Sequence, residues 1–185
     1  MRKMYLSAPL PFVGQKRMFA KEFMKVLEQY PDGTLFVDLF GGSGLLSHIT
    51  KSLKPHSTVI YNDFDNYRFR MKHIPQTNQL LADIREMVGN SVPRHKIIKG
   101  ELRERIFSRI EQEENSTGYV DFITLSSSIL FSMKYKLSVQ DMRKEALYNN
   151  IRKTGYPECT DYLEGWKSYL AITRKYSTGI KIFLE

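Results

Sequence analysis

Hydrophobic positions along the chain change period several times. Between residues 15 and 30, Phe19, Phe23, Val26 and Leu27 recur three and four apart, which predicts a helix with those four on one face. Pro31-Asp32-Gly33 reads as a turn. Leu35-Phe36-Val37 is a short apolar run bounded by glycines and predicts a buried strand. Helical spacing returns over 43–53, with apolar residues at 45, 46, 49 and 53, and stops before Lys54-Pro55. Thr58-Val59-Ile60-Tyr61 predicts a second strand. Helix, strand, helix, strand is the opening of an α/β fold on a parallel sheet. Ahead of it, Pro9 and Pro11 keep residues 1–13 extended.

Beyond Asp65 the pattern becomes mostly helical. Helices are expected over 66–74, 77–88 and 99–113, the last with Leu102, Ile106 and Ile110 as its stripe. The apolar run 119–132 is long enough to favour a helix over a strand, and Ser138-Val-Gln-Asp141 resembles a capping box opening a helix through about Ile151. Ile180-Lys-Ile-Phe-Leu184 fits one further strand. The expected organisation is a core portion over 1–66, a mostly helical subdomain over 67–165 and a segment over 166–185 that returns to the core.

Composition narrows this picture. At 185 residues and 42% hydrophobic, the chain can bury one core and is not a disordered tail. Its single cysteine, Cys159, excludes an internal disulfide framework or a cysteine-rich zinc site. His48, His56, His73 and His95 are scattered without ligand spacing, so no metal is expected. No apolar run approaches a membrane span and the N-terminus lacks a signal-like core, so a cytoplasmic protein without a membrane partner is expected. The net charge of +8 attracts polyanions and makes DNA, double-stranded DNA included, a candidate partner and nothing more, since many basic proteins bind no nucleic acid. Basic and aromatic candidates for that contact are Arg94, Lys96, Lys99, Arg103, Lys134, Tyr135, Lys136, Arg143 and Lys144, any one of which also reads as ordinary solvated helix surface.

Three short motifs carry the candidate chemistry. Pro9-Leu-Pro-Phe-Val-Gly-Gln-Lys16 places a lysine at a helix start; Phe36-Val-Asp-Leu-Phe-Gly-Gly-Ser-Gly44 joins a strand to a helix; Tyr61-Asn-Asp-Phe-Asp65 ends the second strand. Asp63 lies 19 positions after Gly44, near the roughly 20-residue separation at which an acid reaches a ribose diol. Taken singly, a glycine loop makes turns, Asn and Asp end strands, and lysines are solvated. Together, in this order, they favour a nucleoside-containing cofactor. The loop is neither G-x-G-x-x-G nor a Walker loop, which sets aside the dinucleotide and nucleotide-triphosphate fingerprints. Asp38 ahead of the glycines suits an ammonium-bearing ligand, and S-adenosylmethionine combines ribose, an amino-acid head and a sulfonium.

These motifs resemble those of the adenine-N6-specific DNA methyltransferases of the D12 class, over about residues 9–66. The resemblance implies a class I methyltransferase (Rossmann-like) sheet with a helical DNA-recognition subdomain. It places Phe12, Gly14 and Lys16 at the cofactor's amino-acid end. Asp38, Phe40 and the loop Gly41, Gly42, Ser43 and Gly44 would cradle the methionine and ribose, Asp63 would take the ribose hydroxyls, and Phe64 would lie near the adenine.

That family transfers the methyl group with a D/N-P-P-Y/F/W tetrapeptide, which fixes a flipped adenine's amine and stacks on the base. The prolines here are 9, 11, 31, 55, 75, 93 and 157, none adjacent, so no catalytic residue is expected in this chain. The expectation is a cofactor-binding portion inactive alone, with a complementing chain as a further partner and an uncovered sheet edge. A noncatalytic DNA-binding or regulatory protein on the same scaffold is one alternative. A methyltransferase of another substrate is the second.

Overall fold

A computed structural model describes residues 3–14, 16–131, 134–159 and 162. The expected strand at 180–184 and the segment 166–185 lie outside them. The chain divides into two units, residues 1–71 with 159–185, and residues 72–158.

In the first unit a 3-10 turn, Lys16–Phe19, leads into α1, Ala20–Glu28. The anticipated apolar face is only partly realised: Leu27 is buried and Phe23 half-buried, whereas Phe19 is 67% and Val26 48% exposed. The tighter 3-10 turn eclipses residues three apart, so Phe19 falls out of phase with the α-helix that follows. Strand β1, Leu35–Asp38, and helix α2, Leu45–Leu53, precede β2, Thr58–Tyr61. The two strands pair in parallel, from Leu35↔Thr58 to Asp38↔Tyr61. This is the βαβ arrangement expected from the period changes, and the chain is mixed α/β.

Strand β1 differs from expectation in its burial. Leu35 and Val37 are 59% and 54% exposed, while Phe36 and Asp38 are half-buried. Side chains alternate across a strand, and among the described residues β1 belongs to a two-stranded sheet with one covered face. Helix α2 buries Leu45, His48 and Ile49. Nε2 of His48 accepts the Tyr5 N–H at 2.9 Å and Nδ1 lies 3.1 Å from the Tyr162 carbonyl, tying residues 5 and 162 to α2. The short helix α3, Tyr67–Lys72, ends this stretch.

The second unit is mostly helical. Helix α4, Ile74–Val88, carries Pro75 in its first turn, where the missing N–H costs nothing, and buries Ile74, Leu80, Leu81, Ile84 and Val88. Strand β3, Ile97–Ile98, leads to α5, Gly100–Thr117, which packs on α4. Its buried stripe is Ile106, Phe107 and Ile110; Leu102 is only half-buried. Arg109 of α5 bridges Asp83 of α4 at 2.8 Å and its own Glu113 at 2.9 Å. Helix α6, Phe122–Ile129, is capped by Asp121, which accepts the Thr124 N–H at 3.0 Å.

Helix α7, Val139–Arg143, opens as the capping signal predicts, with Ser138 Oγ accepting the Asp141 N–H at 3.2 Å. It stops well before Ile151. The chain instead enters β4, Leu147–Tyr148, antiparallel to β3. Long-range pairing with the two isoleucines overrides local helical spacing here. No helix among the described residues is long and apolar enough to cross a membrane.

Candidate functional site

Because β1 and β2 run in parallel and end in register at Asp38 and Tyr61, the loops that follow emerge side by side. The Asn62 N–H donates to the Asp38 carbonyl at 3.0 Å, and the Asn62 amide donates to the Leu39 carbonyl at 3.0 Å. Ligands of open α/β sheets bind outside the carboxyl ends of the strands. Here that edge carries two aromatic side chains facing solvent, Phe40 at 83% and Phe64 at 84% exposure.

The first motif reaches the same edge. Lys16 Nζ stands 3.6 Å from Asp38 Oδ1 and donates to the Phe40 carbonyl. Ser47, in the first turn of α2, donates from Oγ to Asp38 Oδ2 at 2.8 Å. Asp38 is thus held from both sides, by a cation and a hydroxyl, with its side chain 15% exposed. Gly14, at φ 75°, forms the exposed bend just before Lys16.

The glycine loop is shaped by close approach. A Cβ on Gly41 would stand 2.1 Å from the Tyr61 ring, and one on Gly42 would stand 2.9 Å from the Phe12 ring. Gly44, left-handed at φ 68°, caps α2 without a side-chain bond and closes the turn by donating to the Gly41 carbonyl at 2.7 Å. Ser43 is buried, and its carbonyl accepts the Tyr162 hydroxyl at 2.9 Å. The space freed by the first two glycines is filled by the protein's own rings.

Asp63 is 6% exposed. Oδ1 accepts the Tyr67 N–H at 2.7 Å and Oδ2 the Arg68 N–H at 3.1 Å, so the carboxylate caps α3. The Tyr61 hydroxyl lies 3.1 Å from Oδ1 and donates at 2.6 Å to the Gly42 carbonyl. Burial pushes the Asp63 carboxyl above its ordinary range, outweighing the Arg68 and Tyr67 N–H groups and the Tyr61 hydroxyl, which pull it down. Burial, reinforced by the Asp63 charge, likewise raises the Tyr61 phenol.

The structure therefore gathers Phe12, Lys16, Asp38, Phe40, the glycine loop, Asp63 and Phe64 around one strand edge. It also supplies members that the motifs did not single out for the site. Ser47 holds Asp38, and Tyr61 covers Gly41 while bonding Gly42. Tyr61 was legible as the residue ending the second strand opposite Asp38. Ser47 was legible only as a small polar residue three positions after Gly44.

The candidate DNA contacts lie in the second unit. Arg103 and Arg143 pair with Glu104, Arg143 also with Glu111, Lys134 and Lys136 with Glu145, and Lys144 with Asp141. Arg94, Lys96 and Lys99 are exposed, and Tyr135 is half-buried. Among the described residues no group of three or more His, Cys, Asp or Glu could hold a metal ion.

No protein family profile matches the chain, and no solved structure matches it. In an alignment of 191 positions that covers 99% of the chain, it is 38% identical to a protein of Haemophilus influenzae named "Putative methyltransferase", and it spans 64% of that relative's length.

Proposed function

We propose that this chain is the S-adenosylmethionine-binding portion of a DNA adenine-N6 methyltransferase, built on a class I methyltransferase sheet. The observation that carries the reading is the convergence of three sequence motifs at the carboxyl edge of a parallel βαβ unit, with Lys16 against Asp38. The similarity to a relative named as a methyltransferase supports the cofactor class. The groups present suit it in part: Lys16 and Asp38 offer opposite charges to an amino-acid head, and Phe64 offers an open face to adenine. When bound, the cofactor would supply the activated methyl group. The sequence holds no D/N-P-P tetrapeptide, so no residue of this chain is assigned to methyl transfer.

One observation favours a second reading, a noncatalytic DNA-binding scaffold. Both Asp63 oxygens accept protein N–H groups, and the rings of Tyr61 and Phe12 occupy the space over Gly41 and Gly42. Calorimetric titration of the folded chain with S-adenosylmethionine separates the two. Phe64→Ala is the control, because a side chain this exposed can be removed without touching the core. Saturable binding weakened roughly tenfold by Phe64→Ala, the loss of one ring stack, supports the cofactor site. Absence of saturable binding by the wild-type chain overturns it in favour of the scaffold.

A further inference from the structure

Two sets of basic side chains stand out in the second unit, with Lys72, Arg85 and Arg105 belonging to neither. In the first, Arg103, Arg109, Lys134, Lys136, Arg143 and Lys144 are each in an ion pair with an acid of the same unit, Lys134 and Lys136 sharing Glu145. The second set lies on two stretches, 92–99 and 149–155, that contain no Asp or Glu at all. Pairing of β3 with β4 brings these stretches together. The His95 N–H donates to the Asn149 carbonyl at 2.9 Å, and the Asn149 N–H returns to the Lys96 carbonyl at 2.9 Å. The Arg94 guanidinium donates to the Ile151 carbonyl, and Arg85 Nε of α4 donates to the Arg152 carbonyl at 2.9 Å. Arg94, His95, Lys96, Arg152 and Lys153 are all exposed, and among the described residues none is in an ion pair.

From this division we infer that the face formed by residues 92–96 and 149–153 binds the phosphate backbone of duplex DNA, an inference that rests on the DNA reading above. Charges already neutralised release few counterions on meeting a polyanion, whereas unpaired ones release one each. The composition of the face selects among polyanions. Guanidinium and ammonium donors suit phosphate oxygens, whereas the Asn149 and Asn150 amides already donate to the Val92 and Leu130 carbonyls. Single-stranded nucleic acid is held by exposed aromatic platforms, but here Tyr156 lies beneath Arg152, 4.7 Å from its guanidinium, and is 6% exposed. A membrane surface rewards apolar insertion, and Ile97, at 40%, is the one exposed large apolar side chain in the two stretches. Backbone contact alone carries no sequence information, so this face would set register and affinity rather than choose a site.

Fluorescence anisotropy of the full chain with a short mixed-sequence duplex, over a salt series, tests the inference. Lys96→Gln with Lys153→Gln removes two charges whose side chains make no hydrogen bond or ion pair among the described residues. Lys21→Gln with Lys54→Gln, on α1 and just after α2, is the charge-matched control, since neither side chain is in an ion pair among the described residues. The first pair should lower the slope of log affinity against log salt by about two, and the control should leave it near wild type. If the wild-type chain binds duplex and the first pair leaves the slope unchanged, the assignment of this face fails while the DNA reading stands. If the wild-type chain shows no salt-sensitive duplex binding, the DNA reading fails with it, and the S-adenosylmethionine titration still reports on the cofactor. Tighter binding to single-stranded RNA or phosphatidylserine vesicles than to duplex, lost in the same variant, assigns the face to another polyanion and overturns the inference.

Discussion

Gly41 and the ring of Tyr61 compete for one position: a Cβ at residue 41 would sit 2.1 Å from Tyr61 Cε2 and 2.9 Å from the Asn62 carbonyl oxygen. Both obstacles belong to β2 and its loop, and Tyr61 is 2% exposed and bonded to Gly42, so the ring cannot swing away freely. Gly41→Ala should destabilise the first unit by about 1–3 kcal/mol, the usual cost of overpacking. A denaturation cycle with Tyr61→Leu checks the cause. Coupling of about 1 kcal/mol is expected between the two sites, and simple additivity would show that the ring does not dictate the glycine.

Asp63 should behave as a structural cap whether or not a cofactor binds. Asp63→Ala leaves the Tyr67 and Arg68 N–H groups without their acceptor and should cost about 2 kcal/mol in denaturant unfolding without ligand. Loss of cofactor affinity in that variant would therefore not by itself locate a ribose contact, which is why Phe64→Ala is the cleaner probe.

The same carboxyl gives a pH dependence of defined sign. Its folded pKa is raised above the ordinary 3.8, so the native state holds this proton more tightly than the unfolded chain. Its contribution to stability is greatest below 3.8, falls as pH rises through the raised value, and is flat above that. Asp63→Asn, which does not titrate, should remove this component. Comparing unfolding free energies of the two proteins from below pH 3.8 to neutrality tests it, and parallel curves would rule it out.

Much of the first unit was legible in the sequence because its elements are local. The switch from apolar run to glycines to helical spacing over residues 35–53 encodes strand, turn and helix, and the β-branched run at Thr58 encodes the next strand. Burial of β1 was not legible, since the run Leu35-Phe36-Val37 says nothing of which sheet face is covered. Nor was the β3–β4 pair, whose two-residue strands are joined only through residues about fifty positions apart. At the site, proximity of Lys16, Asp38 and Asp63 followed from motif order. The occupation of Asp63 by α3 did not, because any Asp before a helix can serve as ligand or as cap. Charge counting also overstated the free basic surface, since the partners of Arg143 lie more than thirty residues away along the chain.

Phe107 provides a test of the second unit. Its ring is fully buried, and the guanidiniums of Arg103 and Arg143 lie 4.6 and 4.5 Å from its centroid. Phe107→Ala should cost about 3–5 kcal/mol through the cavity it leaves. Phe107→Leu keeps most of the apolar volume but removes the π face, and should cost about 1–2 kcal/mol. Arg143→Ala should cost less in the Phe107→Leu background than in wild type, since the ring contact is already gone. Equal costs in the two backgrounds, measured in urea, would show that Arg143 acts only through Glu104 and Glu111.

Tyr162 ties a distant point of the chain to the glycine loop and separates two contributions. Its ring stacks on His48 at 4.7 Å with a 17° interplanar angle, and its hydroxyl donates to the Ser43 carbonyl. Tyr162→Phe keeps the stack and leaves that buried carbonyl without this donor, so a loss of about 1 kcal/mol is expected. Tyr162→Ala removes the ring as well and should cost about 3–5 kcal/mol. Because the lost bond ends on Ser43, amide exchange at Gly44 and Leu45 should quicken in Tyr162→Phe while exchange in α1 stays as in wild type. Unchanged exchange at the loop would mean that the hydroxyl does not steady it, and the link from residue 162 to the glycine loop would then reduce to the ring's packing on His48.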